Sequence, residues 1–92
     1  MNINQKQDII DFVSNDWSVY PNPSNGLFYI QLNNIDDNST IEVYNQSGKL
    51  VKTVKNINST ILEVDLSSYS VGLYLVVFKN SNFIQTRKIQ KM

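Results

Sequence analysis

From Trp17 onward the chain alternates between short apolar runs and polar, turn-forming residues. Seven runs rich in Val, Ile, Leu, Tyr and Phe stand out, at 17–20, 27–32, 40–45, 49–54, 60–66, 73–79 and 83–89. Asn, Ser, Asp and Gly separate them at intervals of about 8–12 residues, which is the signature of many short strands in a sandwich or barrel. Within the runs the period is two. Phe28, Ile30 and Leu32 share one side of a strand; Ile41 and Val43 alternate with Glu42 and Tyr44; Leu62, Val64 and Leu66 alternate with Glu63 and Asp65. Each such run predicts a strand with one face in a core and one in water. The run Leu73–Phe78 is apolar on both faces, bounded by Gly72 and Asn80, and is expected to be the most covered, central strand.

The connections carry their own signals. In Asn45-Gln46-Ser47-Gly48 the glycine supplies the left-handed residue that closes a hairpin. Lys79-Asn80-Ser81-Asn82 does so with asparagines. Pro21-Asn22-Pro23 fixes two φ angles within three residues and predicts a stiff arm leaving the first strand, turned into the second by Asn25-Gly26. Residues 1–16 are polar apart from Ile9, Ile10, Phe12 and Val13, and read as a linker or partly ordered segment ahead of a domain at 17–92.

Composition narrows the function more than the fold. There are 92 residues, enough for one domain, with eight basic and eight acidic side chains. Zero net charge gives no basic surplus with which to displace the counterions of a nucleic acid. No apolar run approaches the ~20 residues of a membrane-spanning helix. The first residues, MNINQKQDII, lack the layout of a secretory signal, so a domain working outside the cell is expected either to be a fragment of a longer precursor or to have its own signal missing from this sequence. Cysteine and histidine are both absent, which removes disulfides, thiolates and the commonest base near neutral pH. Glu63 and Asp65, about 7 Å apart by strand geometry, are the nearest thing to a paired-carboxylate site, and read as a solvated face. No catalytic, metal or cofactor site is expected. The basic groupings Lys49, Lys52, Lys55 and Arg87, Lys88, Lys91 read as solvated edges guarded against aggregation, or, for the second, as a tail that meets an acidic partner or anionic lipid. Trp17, Tyr20, Tyr29, Tyr44 and Tyr69 would suit a stacking platform, the basis of a competing reading as a carbohydrate-binding or adhesion module.

Taken in order, Val19-Tyr20-Pro21-Asn22-Pro23, Asn25-Gly26, Ile41-Glu42-Val43-Tyr44-Asn45 with Gly48-Lys49, Asp65-Leu66-Ser67, Gly72-Leu73-Tyr74 and the tail Arg87-Lys88-Ile89-Gln90-Lys91 form a string. It resembles the type A C-terminal sorting domain of type IX secretion cargo in Bacteroidetes-type bacteria. The resemblance spans Trp17 to Met92. It implies an immunoglobulin-like antiparallel β-sandwich of about seven strands, non-catalytic, that targets an attached N-terminal cargo protein to an outer-membrane translocon. A sortase-like peptidase then usually removes the domain, and the cargo is secreted or held at the cell surface. The residues matching the family's motifs are Pro21, Asn22, Pro23, Gly26, Gly48, Lys49, Asp65, Leu66, Gly72, Tyr74, Arg87, Lys88 and Lys91. Tyr74 is expected in the core, and the proline arm and an exposed tail are the expected recognition features. Strand addition along the final run is the expected contact mode.

Overall fold

The computed structural model describes residues 17–33 and 35–92. Seven strands are present: β1 (Ser18–Tyr20), β2 (Leu27–Gln31), β3 (Thr40–Tyr44), β4 (Leu50–Val54), β5 (Ile61–Asp65), β6 (Gly72–Lys79) and β7 (Ile84–Lys91). They form two antiparallel sheets, β1-β2-β5 and β4-β3-β6-β7, packed face to face, so the expected all-β sandwich is borne out. The expected linker at 1–16 lies outside the described residues.

The core follows the alternation. Phe28, Ile30 and Leu32 from one sheet and Ile41, Val43, Val76 and Phe78 from the other are fully buried. At about 25 cal/mol per Å2 of apolar surface removed from water, side chains of this size contribute roughly 1.5–3 kcal/mol each. Trp17 plugs one side of the sandwich. Its ring meets Phe78 edge-on at 5.5 Å, and Phe78 meets Phe83 in the same way at 5.4 Å. The Trp17 indole N–H donates to the Gln85 side chain at 2.9 Å, which satisfies its one buried donor.

Two expectations change. β6 is central, between β3 and β7, but it is not covered on both faces. Tyr74, Val76 and Phe78 point into the core, whereas Leu73 and Leu75 are 39% and 40% exposed. A seven-stranded sandwich has only two layers, so every strand keeps one side in water whatever its composition. β7 also runs two residues further than expected, to Lys91, because Gln90 and Lys91 still pair with Leu73 and Gly72 of β6; on its other side Lys91 makes a parallel bridge with Ser24.

Candidate recognition surface

The motif residues converge on one end of the sandwich, and the arm between β1 and β2 shows how. Prolines 21 and 23 have no N–H to offer a neighbouring strand. Asn22 between them compensates with its side chain. The primary amide has the same donor and acceptor as a peptide group; its Oδ1 accepts from the Gln90 N–H at 2.9 Å and its Nδ2 donates to the Lys88 carbonyl at 3.1 Å. Ser24 continues the pairing through its backbone: its N–H donates to the Gln90 carbonyl at 3.1 Å, and its carbonyl accepts from the Met92 N–H at 2.8 Å. The Ser24 hydroxyl, buried, donates to the Leu27 carbonyl at 2.7 Å and accepts from the Gly26 N–H. The arm thus covers the outer edge of β7 from Lys88 to Met92. Strand addition along that half of the edge is closed, because the outward groups of Lys88 and Gln90 are already paired.

Gly26 makes a close crossing. Its carbonyl accepts from the Leu66 N–H at 2.7 Å, and a Cβ there would lie 2.7 Å from the Ser67 Cα. Its φ of +141° is also a region that side chains disfavour. Asp65 holds the Ser67 side of this crossing. Its Oδ1 accepts from the Ser67 hydroxyl at 2.5 Å and the Ser67 N–H at 2.8 Å, and these bonds outweigh desolvation to hold its carboxyl below the ordinary range. From there the chain turns through Tyr69 and Ser70 into β6. Tyr74 is buried, as expected, and its hydroxyl donates at 2.6 Å to the Ser70 carbonyl four residues upstream, the corner that ties this crossover in many sandwiches of immunoglobulin type.

Lys91 departs from the expected exposed tail. It is only 7% exposed, and its ammonium donates to the Tyr69 carbonyl at 2.8 Å. The alternation carries the reason: Ile89 faces the core, so Lys91, two residues on, faces the same way and lays its stem along the interior while its head finds a carbonyl. Arg87 is spent as well. Its guanidinium lies 4.7 Å over the Trp17 ring and donates to the Trp17 carbonyl at 3.2 Å. Of the basic tail, Lys88 is the residue left exposed.

The β3–β4 hairpin completes the end. Asn45 Oδ1 accepts from the Ser47 N–H at 3.0 Å and the Lys49 N–H at 2.9 Å, and Gly48 takes a φ of +88° in open space. Gln46 bridges the hairpin to β6, its Oε1 accepting from the Leu73 N–H at 3.3 Å next to Gly72. An open groove of about 420 Å3 runs between this hairpin and the 68–72 loop, lined among others by Gln46, Tyr69, Val71 and Tyr74, with no carboxylate or cation in its wall. Chemically this end can bind. Its polar side chains hold loops together, and the carboxylate that stands beside a hydroxyl here, Asp65 on Ser67, is part of that bracing.

The structure therefore brings Pro21, Asn22, Pro23, Gly26, Gly48, Lys49, Asp65, Leu66, Gly72, Tyr74, Lys88 and Lys91 onto one end and leaves Arg87 with Trp17. The proposed stacking platform does not assemble. Trp17 is core, the Tyr44 hydroxyl donates to Glu42, the Tyr69 hydroxyl donates to the Val51 carbonyl, and only Tyr20 and Tyr29 meet, at 6.0 Å. Sequence reasoning missed Ser24 and Gln46. A small hydroxyl beside a glycine turn is a signal for Ser24; Gln46 has none, because its partner lies 27 residues away.

Fold and surface together define a two-sheet β-sandwich domain whose turn-built motifs share one end. The chain belongs to the secretion-system C-terminal sorting domains, whose family model matches residues 18–92. These are sorting signals of type IX secretion, so membership indicates export across the outer membrane with the machinery of that system. Comparison with curated proteins gives no match.

Proposed function

We propose that this domain delivers an N-terminally attached cargo to the type IX outer-membrane translocon, and that a sortase-like peptidase afterwards separates the two, leaving cargo secreted or at the cell surface. The observation that supports this most is the clamp of the Asn22–Ser24 arm on Lys88–Met92. It holds the two ends of the domain's motif string as one folded feature, so a receptor can read them together and only when folding is complete. On this reading Pro21, Asn22, Pro23 and Lys88 face the receptor. Gly26, Gly48, Asp65, Gly72, Tyr74 and Lys91 shape the end, Lys49 stands on its hairpin, and Arg87 anchors β1. No cofactor and no nucleic acid enters.

The test is a fusion of residues 1–92 behind a signal peptide and a fluorescent cargo, in a host with type IX secretion. Cargo in the medium or on the surface is the expected result. Cargo retained in the periplasm contradicts the proposal.

A further inference from the structure

The outer face of the four-stranded sheet carries a row of apolar side chains. Leu50, Tyr44, Leu75 and Lys88 are consecutive cross-strand partners and form one row over all four strands. Direct partners in an antiparallel pair point to the same side, and Tyr74 and Val76 on either side of Leu75 point inward, so this row faces out. Leu73 flanks it. Leu50, Leu73 and Leu75 are 45%, 39% and 40% exposed. A shallow, largely apolar groove of about 170 Å3 lies among Leu73, Leu75, Lys88 and the hairpin residues Asn45 and Gln46. Scattered surface leucines need no explanation, but a contiguous patch rimmed by polar residues marks a surface that something covers.

The unpaired charge beside the patch is positive. Lys88 closes the row and lines its groove, and its ammonium has no ion-pair partner among the described residues. Glu42, the carboxylate on this face, is already held by Lys79 at 3.1 Å. The strands of the opposite sheet carry Glu63 and Asp65 and no lysine or arginine.

We propose that this lysine-bordered leucine face is where the domain docks on a protein component of the export machinery, one whose matching surface is apolar with a rim of carboxylates. The inference rests on the sorting function proposed above and specifies its contact surface. The leucines fill the partner's apolar strip, and the unpaired Lys88 steers encounter with its acidic rim. A second copy is a poor occupant. A two-fold contact presents the same patch from both sides, so Lys88 would meet a surface whose carboxylate is already engaged.

The experiment uses the cargo fusion with Leu75→Asn, Lys88→Glu and, on the other sheet, Ile61→Asn, with melting of each purified domain measured in parallel. Loss of exported cargo by about tenfold, the equivalent of about 1.4 kcal/mol in affinity, is expected for Leu75→Asn and Lys88→Glu at unchanged melting temperature. Ile61→Asn, whose side chain is exposed on β5, is expected to export as the parent does. Export at the parent level by both sheet-face variants overturns the proposal. So does a dimer, seen by sedimentation, that Leu75→Asn dissociates while export continues, since the patch would then be a self-contact. Lys88→Glu keeps the test decisive if Leu75→Asn lowers stability. Failure of the parent fusion itself to leave the periplasm would refute the sorting function, a result distinct from failure of the two variants alone.

Discussion

Replacing Gly26 with alanine tests whether the motif end is held by the close crossing of β2 and the 65–70 loop. Two costs are expected. The backbone at φ +141° strains any side chain, by about 1–3 kcal/mol. The new Cβ would also stand 2.7 Å from the Ser67 Cα and 3.1 Å from the Lys91 side chain. Ser67 is backbone and cannot swing aside, so the loop must move, at about 1–3 kcal/mol for overpacking of this kind. Together these remove about 2–6 kcal/mol from a domain whose total is on the order of 5–10 kcal/mol. For a domain of this length each kcal/mol is about 4–8 °C of melting temperature, which sets the expected loss at roughly 10–50 °C. Gly48→Ala is the control: its φ of +88° is strained too, but a Cβ there meets nothing within 4 Å. It is expected to cost only about 1–2 kcal/mol. Trp17, the sole tryptophan and buried, reports both unfolding transitions by fluorescence. A Gly26→Ala loss no larger than that of Gly48→Ala would refute the crowding argument.

Three further outcomes are expected. Asn22→Asp replaces the donor to the Lys88 carbonyl with an acceptor; urea titration should show a loss of about 1–3 kcal/mol, and hydrogen exchange at Gln90 and Met92 should accelerate. Lys91→Met keeps the buried stem but leaves the Tyr69 carbonyl without its charged donor, for a loss of about 1–3 kcal/mol, whereas Lys88→Met at the exposed neighbour should change the urea midpoint little. In acid, Asp65 and Glu42 set the direction. Both carboxyls are held below their ordinary values of 3.8 and 4.5, Asp65 by its Ser67 bonds and Glu42 by the Tyr44 hydroxyl and Lys79. A depressed folded-state pKa contributes stability that is present above the unfolded value and lost as pH falls through the folded one. Melting temperature should therefore hold steady from neutrality to about pH 5 and fall below about pH 4, with a shallower fall in Asp65→Asn and Glu42→Gln.

Much of the fold was legible because strands write a period of two. Ile41 and Val43, or Phe28 and Ile30, give their own orientation, and the Asn45–Gly48 turn announces a hairpin. Sheet order was not legible, since β2 pairs with β5 across some thirty residues and pairing at that range leaves no local mark. Composition misled at Leu73 and Leu75, where apolar side chains suggested burial and the two-layer architecture leaves them outside. It misled again at Lys91, where charge suggested exposure although the register from Ile89 points inward. The Pro21–Pro23 arm could be read as stiff, but not as a cover for the β7 edge. That follows only once Lys88 and Gln90 are seen to turn their backbone groups toward Asn22.

The central claim is tested most directly by measuring where cargo fused to residues 1–92 accumulates in two matched hosts, one with an intact type IX translocon and one lacking it. Export in the first and periplasmic retention in the second is the predicted result. Equal distribution of the cargo in the two hosts would contradict a sorting function for this domain.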